Sequence, residues 1–248
     1  MTLSSNKQQF CFPDNVQVVS TTRHFVIGAG KACSGESGYA DFNLAMHVND
    51  NVQKVARNRV QLIQAFSLPS EPKWLEQIHS NICLEASSAE CIGDAVITQE
   101  KGVVCAVLTA DCLPIFISNQ YGTQVGVVHA GWKGVLNGVI ESTIAKFSDT
   151  NLLAHFGPAI SQTALTVGDE VYQQFAGKDA QLKDAFIQKG DKHQLDIYQA
   201  ARIILKDLGV ESITGGDECT FKQKNKYFSY RRDGEKSGRM AHLIWIKS

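Results

Sequence analysis

Apolar runs of two kinds divide the chain. Short ones, bounded by glycine, proline or polar breaks, predict strands: the strand-like VQVVS at 16–20, Val103 to Leu108, the run that follows Pro114, VGVV from Val125, and LLAHF before Gly157-Pro158. Others recur at three- and four-residue intervals, the stripe of a helix that buries one face. Val52, Val55, Ala56, Leu62, Ile63 and Phe66 share such a face, in a helix that Asp50 or Asn51 caps and that ends before Pro69. Leu136, Val139, Ile140, Thr143 and Phe147 predict one helix directly after the strand at 125–128. Residues 169–188 and 196–208 predict two more, the second capped by Asp196 and stopped by Gly209. Trp74 to Glu85 mixes apolar and polar positions as a strand would, with His79 in its middle, and YFSYRRDGEKSGRMAHLIWI predicts two strands flanking a charged turn at Arg232 to Gly238. Helices and strands interleave without a regular alternation, so the expectation is an α+β fold with mixed sheets rather than a parallel barrel. No repeat, low-complexity block or linker divides it, which predicts a single domain over residues 1–248.

One stretch invites a different reading. GAGKACSGESG at 28–38 follows Phe25-Val26-Ile27 as a dinucleotide fingerprint would. Cys33 stands where the third glycine belongs and no helical pattern follows, so the segment reads as a flexible loop.

Composition narrows the partners. With 248 residues, 44% apolar and 20% charged, and a net charge of -1, the chain has no global attraction to nucleic acid or to an acidic membrane surface. A small or neutral partner fits better. The N-terminal MTLSSNKQQFCFPDN lacks an apolar signal region, and no run approaches 18 apolar residues, so the expected address is the cytoplasm. Seven irregularly placed cysteines do not resemble a disulfide framework, and the ones that matter should serve metal binding or catalysis.

Three residues of metal-ligand type lie at the ends or in the middle of predicted core strands: His79, Cys112 and His129. Neutral imidazole and thiolate suit Zn²⁺, and three protein ligands leave a fourth position for water or substrate. Their separations of 33 and 17 residues are too long to identify a metal motif by spacing, and His24, His47, His155, His193 and His242 compete as donors. Gly131 and Gly134 let the backbone turn closely beside His129. Trp132 either covers a ligand or packs; Lys133 either attracts an anion or is a solvated lysine at a helix start. Arg23, Arg59, Arg231 and Arg232 offer guanidinium groups suited to phosphate, with solvated surface arginines as the alternative. The zinc-deaminase signature, H-E-x-x-H, the Walker loop and G-x-S-x-G are all missing. A blue-copper site is a poor match, because Met240 lies far from Cys112.

WLEQIHSN, TADCLPIF, VGVVHAGWKG, FGPAI and FSYRRDGEKSGRMA, in that order, resemble the YfiH-like laccase-domain family, whose members are described as purine nucleoside phosphorylases and as multicopper polyphenol oxidases. The likeness runs from about Thr22 to Trp245. It implies a layered α/β/β/α domain, similar to the catalytic domain of cytotoxic necrotizing factor toxins, with His79, Cys112 and His129 as the metal ligands. It also implies phosphorolysis of adenosine, inosine and S-methyl-5′-thioadenosine, with adenosine deamination, and zinc as cofactor with copper as the alternative. By their own chemistry, the candidate substrate or phosphate contacts are Arg23, Arg59, Lys133 and Arg231. Two rival enzymes remain: a copper-dependent polyphenol oxidase, and a cysteine hydrolase with Cys112 as nucleophile and His129 or His79 as its base. A metal-binding protein without turnover is the non-enzymatic alternative. The chain departs from the family pattern where TTRH runs into FVIGAGKACSGESG rather than a TRHGG turn, and SQTALTVG lacks the cysteines many relatives carry there.

Overall fold

The computed structural model describes residues 12–24, 39 and 42–248. The glycine-rich stretch 28–38, with Cys33, and also Cys11 lie outside the described residues. In chain order the elements are β1 (Val16–Ser20), α1 (Val52–Phe66), β2 (Cys83–Glu85), β3 (Ala95–Thr98), β4 (Cys105–Thr109), β5 (Leu113–Asn119) and β6 (Val125–Ala130). Then come α2 (Trp132–Asn137), α3 (Val139–Ile144), β7 (Leu152–Phe156), β8 (Thr166–Val167), α4 (Asp169–Lys178), β9 (Phe186–Lys189), β10 (Lys192–Leu195), α5 (Ile197–Asp207), β11 (Ser212–Gly215), α6 (Tyr230–Asp233) and β12 (Met240–Ile246).

A six-stranded sheet in the order β11-β7-β5-β6-β3-β2 mixes parallel and antiparallel pairs, and a three-stranded antiparallel sheet runs β1-β12-β4. Strand alternation assigns the layers. Val96, Phe116, Val125 and Val127 of the larger sheet meet Val107, Ile244 and Ile246 of the smaller between the two. The opposite residues Ile97, Ile115, Ile117 and Val128 pack on the helical side with Val135, Ile140, Phe175 and Ala201. Beyond the smaller sheet, Leu62 of α1 joins Ala106, Leu108, Ala241 and Leu243. The order is therefore helix, sheet, sheet, helices, with a small β8-β10-β9 sheet beside α4.

Local signals held where the cap lies within the segment. Asn51 Oδ1 accepts from Lys54 N to start α1, while Asp50 accepts from Asn43 Nδ2 and Asn51 N; Asp196 caps α5 as expected. Four expectations are corrected. The helix after β6 is two, α2 and α3, because Gly138 at φ 92° adopts the left-handed conformation that ends the first. Residues 74–85 form a strand only at 83–85: the N–H groups of Ile78, His79 and Ser80 turn to the Asp94 carboxylate instead of a neighbouring strand. The helix expected over 169–188 stops at Lys178, since Asp179 is extended and accepts from Gln181 N to start a new turn, and Phe186–Lys189 pairs with β10. Finally, YFSYRRD gives α6 rather than a strand, because Ser229 accepts the Arg232 N–H and caps it.

Candidate metal centre

β6 carries His129 to the end of the layer between the sheets, on the face shared by Val125 and Val127. Cys112 immediately precedes β5, which pairs with β6 so that Pro114 lies opposite His129. His79 arrives from a turn. The three residues meet: one donor atom from each lies within 4.8 Å of the others, and Cys112 Sγ is 3.7 Å from His79 Nε2. Donors around a tetrahedral zinc stand about 3.3–3.8 Å apart, from bond lengths of about 2.0–2.3 Å, so a small closure seats the ion. Among the described residues this is the one such group of three or more. His79 is exposed, Cys112 half-buried and His129 buried, so the group opens to solvent on the His79 side.

Asp94, fully buried at the head of β3, organises both histidines. Its carboxylate accepts from His129 Nδ1 at 2.8 Å, from the N–H groups of His79 at 3.0 Å and Ser80 at 2.6 Å, and from the Ser80 hydroxyl at 2.7 Å. The Nδ1 bond to Asp94 leaves Nε2 as the nitrogen facing the metal position, where an ion would replace its proton. Burial would raise the Asp94 carboxyl, but His129 and Ser80 hold it at about 2. Burial likewise opposes charge on the other two groups. Despite it, His129 and His79 pull the Cys112 thiol down to about 6, and Cys112 and Asp94 lift His129 to about 9. The thiolate a metal needs thus forms readily.

The backbone is strained where it presents ligands. His79 (φ 59°) and Asp111 (φ 94°) are two of three non-glycine residues with positive φ among the described residues. Asp111 is pinned by Thr220 Oγ1 and Arg231 N, both at 2.6 Å, and its carbonyl accepts from Ile160 N. Gly131 answers a packing demand: a Cβ there would stand 2.7 Å from His79 Cδ2 and 3.0 Å from Cys112 Sγ.

The other sequence candidates are placed as follows. Trp132 packs against the helical core, and the Lys133 ammonium lies exposed, 5.6 Å from the Trp132 ring centre. Arg23 stacks on Phe228 and donates to Lys224 O. Arg59 lies over Trp74, 4.1 Å from its ring centre, and donates to Leu44 O. Arg231 has an exposed side chain reaching Thr166 O, while Arg232 pairs with Asp233 and donates to Thr220 O and Tyr227 O. His155 and His242 are buried and bonded to hydroxyls; His193 stacks on Tyr172 and pairs with Asp169. Met240 is buried, its sulfur accepting from Phe228 N. Sequence reasoning missed Asp94, Asp111 and Arg239. For Asp94 a signal existed, a lone carboxylate directly before the apolar strand AVIT.

The sequence profile of the family described as multi-copper polyphenol oxidoreductase laccase matches residues 18–247. The purine nucleoside phosphorylase YfiH of Escherichia coli K12 is 47% identical over 213 residues, covering 84% of this chain and 87% of the relative. A purine nucleoside phosphorylase of Haemophilus influenzae is 40% identical over 243 residues, covering 95% and 96%. Among solved structures, a Neisseria meningitidis protein superposes with a TM-score of 0.87 at 38% identity, covering 96% of this chain and 97% of its own. YlmD of Geobacillus stearothermophilus gives 0.83 at 26% identity, covering 95% and 93%.

Proposed function

The chain belongs to the multi-copper polyphenol oxidoreductase laccase family, and from that premise we propose a zinc-dependent purine nucleoside phosphorylase of the cytoplasm that also deaminates adenosine. Its substrates are adenosine, inosine and S-methyl-5′-thioadenosine, with inorganic phosphate. The observation that carries the proposal is the meeting of His79, Cys112 and His129 on a solvent-open edge, with Asp94 behind them. Two imidazoles and one thiolate are a donor set for zinc, and the one such group among the described residues supports a single metal ion there. Among the described residues, no helix is long and apolar enough to cross a membrane.

When bound, zinc supplies a Lewis acid and lowers the pKa of a bound water to about 7. The protein's own groups do the rest. Asp94 accepts from His129 Nδ1 and holds His79 through its backbone, so the two rings need only a small closure to meet an ion. Gly131 leaves the space in which the His79 ring and the Cys112 sulfur sit together. In phosphorolysis a phosphate oxygen forms a bond to C1′ while the C1′–N9 bond breaks; its electron pair leaves with the base, which takes up one proton. Cationic side chains are required to hold the phosphate, and Arg23, Arg59, Lys133 and Arg231 are the candidates carried from the sequence. Adenine and ribose 1-phosphate released only when phosphate is present would support this reading. Equal adenine release without phosphate would replace it by hydrolysis, and inosine as sole product would leave deamination alone.

One observation favours a second reading. A thiol held near 6 beside an imidazole at 3.7 Å is also what a cysteine hydrolase needs. Turnover by verified metal-free protein, abolished by alkylation of Cys112, would establish that reading in place of the first.

A further inference from the structure

Two arginines are tied to adjacent residues of one stretch beside the triad. The Arg239 N–H donates to Asn43 Oδ1 at 2.9 Å and its carbonyl accepts from Leu44 N at 3.3 Å, while Arg59 Nε donates to Leu44 O at 3.0 Å. Residues 43–45 are buried, and the chain then surfaces at Met46 and His47. Asn43 is itself fixed, donating to Asp50 Oδ2 at 3.0 Å and accepting from Asn58 Nδ2 at 2.8 Å. The pairing of Met240 with Thr109 brings Arg239 level with Ala110, directly before Asp111 and Cys112. The electrostatics agree with this placement. Burial lowers Arg239 while Cys112 and Asp111 act against it, and His47 is lowered by burial and then by Arg239, Arg59 and His129.

Among the described residues no carboxylate pairs with either cation. Arg239 spends Nη1 on the carbonyls of Ser237 and Gly238 and lies 5.6 Å from the Tyr230 ring centre. The acid that acts on Arg59 is Glu71, which accepts from Trp74 Nε1 at 2.8 Å. Among the described residues neither guanidinium forms an ion pair, in contrast to Arg232 with Asp233. The nearby carboxylates are committed elsewhere, Asp111 to a hydroxyl and a peptide N–H, Asp94 to the histidine network. The edge beside the triad thus carries positive charge that no described carboxylate pairs, on groups whose planar fork matches phosphate oxygens.

We propose that Arg239 and Arg59 form an anion subsite that holds the phosphate attacking C1′. The inference rests on the phosphorolysis proposed above and adds Arg239, which no sequence motif had marked as a phosphate contact.

The test uses metal-loaded full-length protein, with inorganic phosphate titrated by calorimetry and varied in the phosphorolysis assay. Arg239→Gln and Arg59→Gln should each weaken phosphate about tenfold or more, by loss of charge-assisted hydrogen bonds, with the KM for adenosine within about twofold. Arg239→Lys should retain part of the affinity, and Lys206→Gln, on the exposed last turn of α5, should match the parent. Unchanged phosphate affinity and KM in Arg239→Gln overturns the inference. Should that variant lose its metal or its fold, Arg239→Lys and Arg59→Gln decide, and unchanged phosphate dependence in both overturns it equally. Phosphate binding that both variants weaken, without any ribose 1-phosphate from the parent, keeps the subsite and removes the phosphorolysis reading. AMP titrated in parallel separates the sources of the anion: binding of AMP but not of inorganic phosphate overturns the phosphorolytic role.

Discussion

His129 and His242 project from different sheets into the same layer, with exposures of 4% and 0%, yet they are opposite kinds of residue. His129 gives Nδ1 to a carboxylate and turns its other nitrogen toward Cys112 and His79. His242 has both nitrogens occupied, Nδ1 at 2.9 Å from Ser20 Oγ and Nε2 at 2.8 Å from Thr109 Oγ1. Burial lowers both. It wins at His242, helped by the charge of His129, and takes the ring down to about 3; at His129 it loses to Cys112 and Asp94. Equal burial therefore says nothing about ligand capacity. The partner of the first nitrogen and the freedom of the second decide it.

The severest way to break this comparison is to remove a ligand. Cys112→Ala or His129→Ala should cost more metal affinity than the about 10–100-fold that follows loss of a supporting partner, read by zinc stoichiometry and chelator competition. Full occupancy in both variants would end the assignment of the centre.

Asp94→Asn comes next. It should weaken zinc about 10–100-fold while the three ligands remain, because an amide has one acceptor oxygen and its NH2 would face the donors of either His129 and His79 or Ser80. It also separates charge from packing. In the metal-free protein the Asp94 carboxyl is lowered from 3.8 to about 2, so its contribution is present above pH 3.8 and is lost as pH falls through 2. That amounts to about 2 kcal/mol, and an acid unfolding titration of Asp94→Asn should lack this limb. No matching slope is expected between pH 6.5 and 9. There the Cys112 thiolate and His129 imidazolium together hold one proton, as the same two groups do in the unfolded chain.

Gly131→Ala should act more mildly, by about tenfold on zinc affinity, since the added methyl displaces His79 and Cys112 without removing a donor. A normal affinity would show that the two side chains move aside freely. The smallest effect on metal belongs to His242→Asn. It should leave zinc binding unchanged and cost about 1–3 kcal/mol in thermal or denaturant unfolding, from the stranded hydroxyl partners. A loss of zinc there would collapse the distinction between the two histidines.

Much of the centre was legible along the chain because donor chemistry belongs to residue types. His79, Cys112 and His129 stand at breaks in apolar runs, and ordered motifs carried the family resemblance. Capping was legible for the same reason. Asn51 and Asp196 act on N–H groups three residues ahead, so their effect is contained in the local sequence. Gly138, Asp179 and Ser229 are local signals of the same kind that the apolar pattern alone does not weigh, whereas the segment at 74–80 follows the opposite rule. The turn that presents His79 exists because Asp94, 14 to 16 residues later, takes its backbone donors. The helix at Tyr230 lies where an N–H is claimed by Asp111, 120 residues away.

By itself, then, the chain specified which residues can bind a metal, where most strands and caps lie, and that the fold mixes helices with mixed sheets. The physical reason that separates the histidines belongs to the tertiary structure. His242 is saturated by Ser20, 222 residues distant, and by Thr109, 133 residues distant, whereas His129 is freed on one side by Asp94. Hydrogen bonds reach only about 3 Å, and which groups come that close across the layers depends on the packing of the sheets, not on neighbours in sequence.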